Sequence, residues 1–158
     1  MKVYHSDYLE HYTAKAPDKQ RFERLRSVPF FNIFKHDEDL EKLVKTGCWY
    51  QCPAGTFIIR EGDSGSELYV LISGKIRVFK SGKTLAVLTP GEVVGEMGSL
   101  LGEDRCANVV ALDESTLFRL NIDSMRSFPR EQLFSMMRYI YRVTAQRLVD
   151  ADRRLAAV

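Results

Sequence analysis

Pro90 to Val109 is the stretch whose residue types and spacing are suited to chemistry. It reads P-G-E-V-V-G-E-M-G-S-L-L-G-E-D-R-C-A-N-V. Its glycines let backbone N–H groups approach an anion closely. A short helical turn over Met97 to Leu101 would direct its free N–H groups to the same place. Arg105, just ahead of a strand-like run, is placed to close over a phosphate with two parallel hydrogen bonds. Glu96 cannot serve that phosphate, because a carboxylate repels it, but it can accept a hydrogen bond from a sugar hydroxyl. One phosphate charge, one sugar hydroxyl and an adjacent apolar slot for a base describe a nucleotide monophosphate. Taken alone, a Glu and an Arg nine residues apart are more commonly a structural ion pair than a ligand site.

Other candidates are weaker. Gly62-Asp63-Ser64-Gly65 has the look of a serine nucleophile segment, but a triad needs a partnering histidine. The three histidines, His5, His11 and His36, all lie in the N-terminal zone and lack metal-ligand spacing, so no metal site is expected. The glycines at 62, 74, 82 and 91 read as turn formers, and only Gly95 has a claim on the site. Cys48, Cys52 and Cys106, an odd set without CxxC spacing, argue against disulfides and zinc. Cys48 and Cys52 are expected to pack on one strand face, and Cys106 is read first as inert rather than redox-sensitive.

Three zones must position these residues. Up to about Thr46 the chain reads as helical, broken at Pro29, with Asp37 as a cap for a helix carrying Leu40 to Val44. From about Cys48 to Asn121 it is a series of short strands: Cys48–Cys52, Thr56–Arg60, Glu67–Ser73, Lys75–Lys80, Thr84–Thr89, Ala107–Leu112 and Thr116–Leu120. Turn signals separate them, which favours a closed or double-sheet β-architecture. From about Ile122 the chain is helical again. Leu133, Met137, Ile140, Thr144, Leu148, Ala151 and Leu155 recur at steps of four and three as an apolar stripe, flanked by Arg138, Arg142, Arg147, Arg153 and Arg154, read as a solvated face.

The chain has 158 residues, 45% hydrophobic and 28% charged, with a net charge of +2. That is an ordinary globular composition with one domain's length. The small charge gives no general attraction to nucleic acid or membrane. The N-terminus lacks a signal-peptide core and no apolar run approaches ~18 residues, so a cytoplasmic protein is the expectation.

The stretch from Gly95 to Leu100 followed by Arg105-Cys106-Ala107-Asn108-Val109 resembles the phosphate-binding cassette of the cyclic nucleotide-binding domain family. That family includes kinase regulatory subunits, gated channels and catabolite activators. Phe57 to Asp63 is similar to its I-x-R-E-G-D strand and turn, Glu67 to Val78 to its next hairpin, and Leu88 to Gly91 to its L-x-x-G turn. The ordered likeness spans about Phe30 to Leu148. It implies a mainly β fold with flanking helices, a double-stranded β-helix or jelly-roll-like β-roll, with N-terminal helices and a long C-terminal helix. A helical arm or extension over residues 1–21 would precede a binding domain over 22–158, with the roll at about 48–121 and C-terminal helices at about 122–155.

The resemblance also implies roles. Glu96 would bind the ribose 2′-hydroxyl. Arg105 would bind the cyclic phosphate with backbone N–H groups near Gly95, Met97, Gly98, Cys106 and Ala107. Val78, Leu85 and Ala86 would wall the base, and Arg138, Tyr141 or Arg142 would cap it. Cys106, where serine, threonine or alanine is usual, favours cyclic AMP over cyclic GMP, since a thiol is a poor hydrogen-bonding group.

The expected protein is a sensor and not an enzyme, without cofactor or metal. It would relay cyclic AMP (alternatively cyclic GMP) binding through its last helix and dimerise there. The distal half of a helix about 38 Å long is expected to have little of its own roll to cover. The chain ends at Val158 without room for a helix-turn-helix, so a downstream effector or missing C-terminal domain is expected. The alternatives are the sensor fragment of a larger regulator, or a degenerate ligand-free dimerisation scaffold.

Overall fold

Trp49 and Tyr50 show how the architecture arises. Neighbouring strand residues point to opposite faces, yet both are buried, so the sheet that carries them is covered on both sides. They belong to β2 (Cys48–Cys52). In the computed structural model, which describes residues 8–18, 21–96 and 102–156, β2 lies in a five-stranded sheet. Its order is β1 (Thr13–Ala14), β2, β9 (Ser115–Leu120), β4 (Leu68–Ser73) and β7 (Val93–Val94). A four-stranded sheet faces it, ordered β3 (Phe57–Ile59), β8 (Asn108–Ala111), β5 (Ile76–Lys80) and β6 (Lys83–Leu88). The strands pair antiparallel. This is the expected roll.

Helices cover the outer face of the five-stranded sheet. They are α1 (Phe22–Arg26), a 3-10 turn at Pro29–Ile33, α2 (Asp37–Thr46) and the long α3 (Arg130–Ala156). Phe30, Phe31, Phe34, Leu40, Leu43, Trp49, Phe118, Met136 and Ile140 make this core, and Trp49 donates from Nε1 to the Val44 carbonyl at 2.9 Å. The inner face brings Tyr50, Tyr69, Leu71 and Leu117 against Ile58, Ile76, Leu88, Val109 and Ala111 from the opposite sheet. β4 serves both cores, which is why Leu68 to Leu71 are all buried. Gly74 turns into β5 at φ +98°, where a Cβ would lie 2.3 Å from Ser115 Oγ.

Several details differ from expectation. Within the segment expected as an arm, Leu9 is buried in the inner core and Thr13–Ala14 pairs with β2. β1 and β7, two residues each, are too short to show a pattern. His36 occupies the N-cap position of α2 without a side-chain capping bond, while Asp37 opens its first turn with Glu38 and Asp39, a favourable charge for a helix N-terminus. Cys52 is buried as expected, but Cys48 is exposed beside Arg119.

The apolar stripe on α3 also divides. Ile140 is buried and Leu133 and Met137 pack on the core, whereas Leu148 and Leu155 are 64% and 74% exposed. Among the described residues, no helix is long and apolar enough to cross a membrane.

Candidate functional site

The cassette is held by the loop after β3. Gly62 N–H donates to the Arg105 carbonyl and Arg105 N–H to the Asp63 carbonyl, both at 2.8 Å. This locks the chain on either side of the arginine and directs its side chain inward, where it is 7% exposed. The guanidinium donates from Nη1 to the Gly95 carbonyl at 3.1 Å and from Nη2 to the Glu67 carbonyl at 2.9 Å. The Glu67 carboxylate stands 3.5 Å away. Gly95 must be glycine here. Its φ is +89°, and a Cβ would meet the Glu67 carbonyl at 2.6 Å and Arg105 Nη1 at 3.0 Å.

Glu96 is 2% exposed, and its partner was not anticipated. Arg147 of α3 donates from Nη1 to the Glu96 carboxylate and from Nη2 to the Val93 carbonyl. The sequence placed Arg147 among solvated arginines. A signal was available: Arg147 lies seven residues beyond the buried Ile140, so two helical turns return it to the inward face. α3 touches the cassette rim twice more. Tyr139 donates its hydroxyl to the Gly91 carbonyl at 3.1 Å and Arg154 donates to the Leu85 carbonyl at 2.6 Å. Burial, with Glu92 adding to it, raises the Tyr139 pKa, so this hydroxyl stays a donor at neutral pH. The distal half of α3 thus meets its own roll through Arg147 and Arg154, while Leu148 and Leu155 stay exposed.

Of the expected site residues, Arg105 therefore touches Gly95, and Glu96 adjoins that contact while pairing with Arg147. Val78 and Ala86 pair across the β5–β6 hairpin and pack on the inner core. Leu85 has its side chain 42% exposed, because alternation along β6 turns it away when Ala86 and Leu88 turn in. Ala107 is half-buried and Cys106 exposed. Met97 and Gly98 lie outside the described residues. The proposed caps Arg138, Tyr141 and Arg142 are all exposed; the α3 residue that pairs with Glu96 is Arg147. A polar cavity of about 210 Å³ opens beside Arg105, lined also by Asp63, Ser64, Gly65, Glu67, Tyr69 and Arg119. No cluster of metal-ligating side chains occurs among the described residues.

Comparison with known proteins agrees with this geometry. The family model for the cyclic nucleotide-binding domain matches residues 50–132. The Pycsar effector protein XpPycTIR of Xanthomonas perforans is 32% identical over 126 residues, covering 79% of this chain and 41% of that protein. The cyclic AMP receptor protein of Thermus thermophilus is 35% identical over 108 residues, covering 65% of this chain and 50% of that protein. The chain thus spans half or less of these relatives. A cyclic nucleotide-binding domain from Methylobacillus flagellatus shares the fold, with a TM-score of 0.73 over 88% of this chain and 85% of that one at 24% identity. With its roll, its cassette glycine and its inward arginine in place, the chain belongs to the cyclic nucleotide-binding domain family.

Proposed function

We propose that this chain is a sensor module that binds cyclic AMP, with cyclic GMP as the alternative, and is not itself an enzyme. The observation that carries the reading is the inward Arg105 held against the carbonyl of Gly95, one residue from Glu96. Arg105 would take the cyclic phosphate and Glu96 the ribose 2′-hydroxyl. Backbone N–H groups near Gly95, Met97, Gly98, Cys106 and Ala107 would complete the anion site. Val78 and Ala86 would meet the base, and the exposed Cys106 thiol favours cyclic AMP. The name of the Thermus relative, a cyclic AMP receptor protein, supports the same ligand.

The bound state would be relayed by α3, which meets the cassette rim at Gly91, Val93 and Glu96. A ligand that binds the two positions of α3 unequally shifts their populations by that differential affinity and no more. Phe134, Tyr141, Leu148 and Leu155, all exposed, recur every seven residues on the outer side of α3, one of the two apolar positions per heptad that a two-stranded seam uses. A homodimer through this seam is the proposed receiver, with an effector domain beyond it as the alternative.

A second reading has its own support. Glu96 and Arg105 are both already paired, with Arg147 and Glu67, as in a scaffold that has dispensed with ligand. Calorimetric titration with both nucleotides separates the two. Heat of binding to cyclic AMP supports the sensor, and a chain that binds neither while forming a dimer supports the scaffold.

A further inference from the structure

Arg105 is a buried cation, and a buried cation needs a counter-charge. Glu67 supplies it. We propose that Glu67 competes with the ligand's phosphate for Arg105 and so sets the affinity of the site, an inference that rests on the cyclic nucleotide reading.

The division of labour around the guanidinium supports competition over positioning. The carbonyls of Gly95 and Glu67, at 3.1 and 2.9 Å, fix its orientation through hydrogen bonds. The Glu67 carboxylate lies at 3.5 Å, beyond an ordinary charge-assisted hydrogen bond, and contributes charge more than geometry. Losing it would leave the arginine where it is. The approach is close-packed at Gly65, where a Cβ would lie 3.1 Å from both Arg105 Nη2 and Glu67 Oε2. The two partners differ in freedom: the Arg105 side chain is 6% exposed and that of Glu67 34%. The carboxylate therefore has a route to water and into the adjoining cavity of about 210 Å³. Among the described residues, Glu67 is the carboxylate paired with Arg105, although Asp63 and Glu10 line the same cavity. A phosphodiester arriving at this guanidinium would meet the Glu67 charge at close range, and each anion weakens the other's hold.

The test is calorimetric titration of cyclic AMP and cyclic GMP into the wild type, Glu67→Gln and Glu67→Ala, each first checked for a native circular dichroism spectrum, at low and high salt. Competition predicts that both variants bind about two- to fivefold more tightly at low salt, the size of one partly screened ion pair. The advantage should shrink as salt screens the charge. Variants that bind as the wild type does, or more weakly, would overturn competition and make Glu67 a positioning residue or a bystander. No binding by any of the three proteins would instead overturn the cyclic nucleotide reading, and this proposal with it. Binding by the variants alone would support both, with Glu67 as the group that closes the site.

Discussion

Removing Arg147 while keeping its hydrophobic stem, as in Arg147→Met, tests whether the last helix is anchored where the structure places it. The Glu96 side chain is 3% exposed and Arg147 supplies its ion pair. Breaking a fully buried pair costs about 3–5 kcal/mol, because the surviving charge stays desolvated. Arg147 is itself 33% exposed, so part of its charge is already solvated and the expected loss is smaller, about 2–3 kcal/mol once screening is allowed for. In a domain of this size that lowers Tm by about 4–12 °C. Urea unfolding gives the free energy and calorimetry the Tm. The double variant Glu96→Gln/Arg147→Met should recover part of the loss, since a neutral amide is cheaper to bury than a carboxylate. A single variant that loses less than about 0.5 kcal/mol, the scale of an ordinary surface substitution, would show that no buried ion pair is broken. In that case Arg147 spends its time in water, and α3 is not latched to the cassette.

Arg105→Ala should lose about 2–5 kcal/mol of cyclic nucleotide binding, and Arg105→Lys much of it because an ammonium cannot make the bidentate contact; titration of either at near-native affinity would assign the work to backbone N–H groups. Leu148→Asp places a charge in the exposed seam of α3 and should dissociate a dimer in sedimentation experiments, whereas a wild type that is monomeric at high micromolar concentration removes the dimer. Burial pushes the Tyr50 pKa up to about 12, with Arg119 pulling the other way, and burial also raises those of Tyr69 and Tyr139. The unfolded chain therefore ionises first, near pH ~10, and stability that is fully present below that value falls as pH rises toward 12. Urea midpoints should drop through that window, and tyrosinate absorbance that completes near pH 10 in the folded protein would contradict it.

The sequence by itself determined most of the roll. Short strand-like runs punctuated by glycine and proline carry local information, and β2 from Cys48 to Cys52 has the bounds the sequence predicts. The cassette was legible for a related reason. Gly95, Glu96 and Arg105 sit within eleven residues, and their types betray their chemistry without knowledge of neighbours. What lay beyond the sequence was every decision made between elements distant along the chain. Arg147 meets Glu96 from 51 residues away, and Glu67 meets Arg105 from 38. The helical period returns Arg147 to the face of Ile140, but no period names the partner, since charged side chains look alike whether they face water or a buried group.

The stripe on α3 makes the same point. The four-and-three spacing named an apolar face, but Phe134 and Tyr141 continue the exposed side of Leu148 and Leu155, while Ile140 faces the core. A 3.6-residue helix drifts about 20° per heptad against a seven-residue repeat, so the side that meets the roll is fixed by docking. Only the tertiary structure, by seating Met136 and Ile140 on the sheet, decided which way the rest of the helix points.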